Sequence, residues 1–144
     1  MKNIKRLIAG AIAGTSIISL KPAQAQVTFN PTGQWMCQQA SQQQELSMSS
    51  RFQLLVYPNS QYLANGMGEV KTPDGQYIPF QSQAKGSWNV NGSNVTFTGQ
   101  SVATLNGETV QSSFTHQYAG TNQNTMAMSS NNGQEIVNTY CQRS

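Results

Sequence analysis

The chain has 144 residues with eight Lys and Arg, five Asp and Glu, a single His and two Cys. One histidine and two cysteines leave too few soft ligands for a metal centre, so no metal is expected. Charge is sparse, at 9% of residues, and its formal balance of +3 changes once the start of the chain is read.

Lys2, Lys5 and Arg6 form a basic start, and Leu7 to Leu20 is an apolar run broken only by small residues. Ala23-Gln24-Ala25 then supplies a small-x-small cleavage pattern, so residues 1–25 read as a secretory signal peptide of bacterial type. The apolar run is too short to span a bilayer permanently. Cleavage after Ala25 removes Lys2, Lys5, Arg6 and Lys21, leaving four bases against five acids. The basic balance therefore belongs to the export signal and argues for no nucleic-acid partner. The expected location is periplasmic or secreted, where two cysteines favour a single disulfide, Cys37 with Cys141.

Residues 26–32, with Pro31 near the end, have no periodicity and read as an extended N-terminal tail. The remaining residues, 33–144, form one domain whose signal is alternation throughout, interrupted by turn dipeptides. The runs place eight strands at about 33–42, 46–57, 61–71, 77–90, 95–105, 108–118, 125–130 and 135–143. Gln38 to Ser47 carries the weakest signal, and either Tyr62 or Leu63 faces inward on the third run. In the fourth run Ile78, Phe80, Ser82, Ala84, Gly86, Trp88 and Val90 share an apolar or small face, opposite a largely polar one. A turn at Gly92-Ser93 sets Trp88 opposite Phe97, and Asn106-Gly107, a strong hairpin signal, sets Phe97 opposite His116. A turn at Asn132-Gly133 pairs Met126 and Met128 with Thr139 and Val137.

Eight sequential antiparallel strands with bridged ends favour an all-β, up-and-down barrel. Facing Cys37 with Cys141 puts Trp35 opposite Arg143, with the guanidinium over the indole. The outward rows are Gln, Asn, Ser and Thr, which excludes insertion as a membrane barrel, since that needs an apolar outer band. Gly33-x-Trp35 on the first strand and Arg143 at the end of the last resemble the lipocalin-like (calycin) small barrels, where such a pair closes one end. Phe52-x-Leu54 with Pro58-Asn59-Ser60-x-Tyr62, and Gly86-Ser87-Trp88 with Val95-x-Phe97, look like repeats of small bacterial lipocalin-like domains. Size, export and an N-terminal tail are also similar to the bacterial inhibitors of secreted metalloproteases.

The inward rows place Trp88, Phe97, Phe114 and Tyr118 as an aromatic wall with His116 as a polar contact for a small, mostly apolar ligand. The meander gathers Glu45, Glu69, Asp74, Glu108 and Glu135 toward one rim, where a cationic group, a calcium ion or a basic partner surface would meet them. No Gly-rich phosphate loop or nucleophile elbow appears, and no cofactor is expected. The expectation is a non-enzymatic ligand-binding barrel. Its alternatives are an interaction or protease-inhibitor module using the tail or acidic rim, and a small hydrolase or isomerase using His116.

Overall fold

Alternation with a period of two puts every second side chain on the same face of a strand, so one face can be buried while the other meets water. The structure, a computed structural model, describes residues 28–144. The signal-peptide reading and the first two tail residues lie outside them. Eight strands follow in order: β1 (Gly33–Gln43), β2 (Leu46–Val56), β3 (Gln61–Lys71), β4 (Tyr77–Asn91), β5 (Asn94–Leu105), β6 (Glu108–Asn122), β7 (Thr125–Asn131) and β8 (Glu135–Arg143). Each pairs antiparallel with the next, and β8 returns to β1 to close the barrel. Closure removes the unpaired edges that would expose an open sheet to aggregation.

The closing seam is covalent. Cys37 lies opposite Cys141 in register and is bonded to it across 104 residues of chain. Trp35 stands opposite Arg143 one rung pair away. The Asn106-Gly107 hairpin has both central residues at positive φ, 51° and 76°, as a two-residue turn of this hand requires. Trp88 faces Phe97, and Phe97 in turn faces His116.

The last hairpin differs from the sequence reading. Met126 pairs with Cys141 and Met128 with Thr139, two residues further along than a turn at Asn132-Gly133 would give. The side chains of Asn131 and Asn132 accept bonds from the backbone N–H groups of Gly133, Gln134 and Glu135, which shapes a wider loop. An even shift keeps the same residues facing inward. The seam between β6 and β7 is also short. Its rungs are Ala119–Ala127, Gly120–Met126 and Asn122–Thr125, with a register shift between Gly120 and Asn122.

Inside, the core splits into two apolar clusters. The larger, toward the chain termini, includes Phe29, Trp35, Leu54, Tyr62, Phe97, Tyr118 and Met126. The smaller, at the opposite end, is built from Leu46, Met48, Val70, Phe80, Ala103 and Leu105. Between them β1, β2, β5 and β6 contribute buried Gln39, Ser50, Ser101 and His116. The barrel is thus capped by hydrocarbon at both ends and polar at its waist.

Candidate functional site: an aromatic chamber at the barrel waist

One cross-strand row explains the chamber. Tyr62 on β3 faces Gly86 on β4, which faces Gly99 on β5, which faces Phe114 on β6. Two glycines in the middle leave space that the two rings fill from either side. A methyl group at Gly99 would come within 2.8 Å of the Tyr62 hydroxyl and 2.1 Å of the Lys85 carbonyl oxygen. Gly86 and Gly99 therefore serve close approach of backbone and ring.

Around that row the aromatic rings meet edge to face, the arrangement their quadrupoles favour. Tyr62 lies 5.0 Å from Phe97 with planes at 79°, and Phe97 lies 5.5 Å from Tyr118 with planes at 87°. Phe114 approaches the imidazole of His116 at 4.9 Å. These rings, with Phe52, Leu54 and Ala84, wall a cavity of about 50 Å³ whose polar side is Gln39, Ser50, Ser82 and His116. No carboxylate lines it.

The Tyr62 hydroxyl is buried and has no hydrogen-bond partner. Burial pushes its pKa well above the ordinary value, and the neighbouring Tyr118 pushes it further in the same direction. Burial likewise raises the pKa of Tyr118. Both phenols are consequently neutral at physiological pH and available as donors.

The structure brings four of the five sequence-predicted wall residues together: Phe97, Phe114, His116 and Tyr118. Trp88 is not among them. It is half-buried against the larger cluster, and its indole N–H donates to the Tyr57 carbonyl at 2.9 Å. Tyr62 takes its place. The four-residue loop joining β2 to β3 decides this, because Val56 pairs with Tyr62 and leaves Leu63 outside. Ser60 at φ 68° shows the loop's tight return, and alternation of Tyr62 with Ala64, Gly66, Gly68 and Val70 is the signal that points to it.

At the end near the termini, the Arg143 guanidinium stacks 4.3 Å from the Trp35 ring. It also donates to the carbonyls of Thr32, Asn30 and Gln123. Trp35 donates its indole N–H to Pro31 at 2.8 Å. Thr28–Thr32 has no strand pairing of its own, yet Phe29 and Pro31 are buried and the Phe29 N–H donates to the Gly92 carbonyl. This part of the tail is a plug.

The acids share the other end. Glu45, Asp74 and Glu108 lie in or beside the β1–β2, β3–β4 and β5–β6 turns, and Glu135 begins β8. Asp74 accepts a bond from the Thr72 hydroxyl, which with nearby backbone donors lowers its pKa. Glu69 points outward from β3. Among the described residues, no three of His, Cys, Asp and Glu converge as a metal-holding group.

In strand number, order and direction the fold is the closed up-and-down antiparallel barrel expected from the sequence. No protein-family model and no curated protein matches the chain. Among solved structures, a redesigned β-barrel, mFAP0, bound to DFHBI, is similar at 16% identity, covering 78% of this chain and 97% of its own, with a TM-score of 0.38. That likeness carries no argument about function. Among the described residues, no helix is long and apolar enough to cross a membrane.

Proposed function

We propose that the protein is an exported, non-enzymatic barrel that holds one small, mostly apolar ligand at its waist. Tyr62, Phe97, Phe114 and Tyr118 form the wall, and His116 makes a polar contact. The observation that carries this reading is the Tyr62 hydroxyl, buried beside the chamber without a partner. An unpaired buried hydroxyl costs about 1–3 kcal/mol, which an acceptor atom on a ligand would offset. The 50 Å³ volume sets the ligand's size. Sites for drug-sized molecules are roughly 300–1,000 Å³, so this one takes only a few non-hydrogen atoms.

The disulfide supports export, since such bonds persist in oxidising compartments. A protein-interaction role through residues 28–32 would first require Phe29 and Pro31 to leave their buried positions.

The test is a native mass spectrum of the protein purified from an exporting host. The expected result is added mass that disappears in Tyr62→Phe. The bare polypeptide mass, with no NMR shift at Phe97, Phe114 or Tyr118 on adding ethanol or isopropanol, overturns the reading.

A further inference from the structure

A trench crosses the outside of the barrel, and three adjacent rows of outward side chains make it. The middle row runs through Asn138, Ala40, Ser49, Glu69 and Pro79, each opposite the next on β8, β1, β2, β3 and β4. Four of these five are short. One flanking row, Tyr140, Gln38, Arg51, Met67 and Gln81, carries long side chains on the same five strands. The other flanking row has Ile136, Gln42, Lys71 and Tyr77, interrupted by Ser47. Short residues between two ranks of long ones leave a channel, with a concave space of about 1000 Å³ against the first rank. A further 420 Å³ lies against the second, over the same floor of Ala40, Ser49, Glu69 and Asn138. At the usual strand spacing, the trench is about 19 Å long.

Of the eight large hydrophobic side chains left exposed among the described residues, four stand on these walls, including the two most exposed, Met67 at 66% and Tyr77 at 62%, with Tyr140 at 50% and Ile136 at 44%. Tyr140 and Tyr77 stand at opposite ends on opposite walls. Between them lie the amides of Gln38, Gln42 and Gln81 and the charges of Arg51, Glu69 and Lys71, the last with its ammonium 5.7 Å from the centre of the Tyr77 ring. Clustered exposed apolar side chains among neutral polar groups mark a binding surface.

We infer that this trench binds a neutral carbohydrate chain of a few sugar units. An amide offers one donor group and one acceptor, as a sugar hydroxyl does, and a tyrosine ring offers an apolar face to a pyranose ring. The length suits roughly four units set across the strands. An extended peptide fits less well. It gains most of its affinity from a free sheet edge, and every strand under the trench is already paired on both sides. The trench lies on the outer face of the barrel and shares only Gln39 and Ser50 with the lining of the interior chamber.

The experiment is an NMR titration of the full exported protein with cellotetraose, chitotetraose and maltotetraose at millimolar concentration. At least one sugar is expected to shift amides of the five strands along the trench. Tyr140→Ala and Tyr77→Ala each weaken that binding about tenfold. Tyr140→Phe, which keeps the ring, binds like the parent, and Tyr57→Ala, away from the trench, changes nothing. The inference is overturned if no sugar shifts these amides, if shifts fall elsewhere, or if both alanine variants bind like the parent. Shifts produced by polyaspartate or heparin but by none of the three neutral chains overturn it as well. Tyr62→Phe leaves sugar binding intact, so failure here and failure of the interior reading are distinguishable.

Discussion

Arg143 lies over the Trp35 ring at 4.3 Å while its N–H groups bond three backbone carbonyls, on Asn30, Thr32 and Gln123. One side chain thereby ties the tail plug, the first strand, the last strand and the β6–β7 turn to a single point. Arg143→Ala removes a cation–π contact of about 0.5–2 kcal/mol and leaves carbonyls to find water. The expected loss in a urea titration is about 2–3 kcal/mol. Arg143→Lys recovers only part of it, because an ammonium cannot span the same carbonyls. A lysine variant as stable as the parent would refute the staple.

The disulfide joins neighbouring strands across nearly the whole domain. Reduction, or replacement of Cys37 and Cys141 by alanine, frees a long loop in the unfolded chain and lowers stability by about 4–5 kcal/mol in the chain-entropy model. Equilibrium denaturation with and without reductant measures it. An unchanged midpoint would show that the bond does not constrain the unfolded ensemble.

Gly99→Ala drives a methyl group onto the Lys85 carbonyl and the Tyr62 hydroxyl. The carbonyl belongs to a paired strand and cannot yield, so overpacking costs about 1–3 kcal/mol. Pairing the change with Tyr62→Phe relieves the contact to the hydroxyl alone. The double variant therefore recovers only part of the loss on thermal melting.

Tyr62→Phe separates stability from binding. The hydroxyl has no partner in the ligand-free protein, so its removal raises stability by about 1 kcal/mol while abolishing any ligand held through that oxygen. A loss of stability in ligand-free protein would mean that the hydroxyl has a partner after all.

Both buried tyrosines have folded-state pKa values raised above the ordinary 10.0. For an acid whose neutral form the fold favours, stability is full below the unfolded pKa and falls as pH rises above it. Unfolding should therefore become easier above about pH 10, by up to about 1.4 kcal/mol per pH unit for Tyr118 alone. Denaturation midpoints measured from pH 8 to 12 check this. Tyr118→Phe should flatten the fall.

The meander, its inward rows and the meeting of Cys37 with Cys141 were all readable along the chain. Period-two alternation assigns each residue a face, and dipeptides such as Asn106-Gly107 tie one strand's numbering to the next. Such a signal is absent at the first turn, and at the last, where Asn132-Gly133 carries it, it misleads. Gln44 makes its turn at φ 53° with no glycine, and the Asn131–Asn132 loop shifts the final register by two.

What the chain alone could not supply were facts that depend on three or more strands at once. The replacement of Trp88 by Tyr62 at the chamber, its 50 Å³ volume, the docking of Phe29 beneath Gly120, and the five-strand trench are of this kind. Local pattern sets the direction in which a side chain leaves its strand. How far it travels before meeting another, and how much space remains, is set only when the sheet closes and brings distant registers into contact.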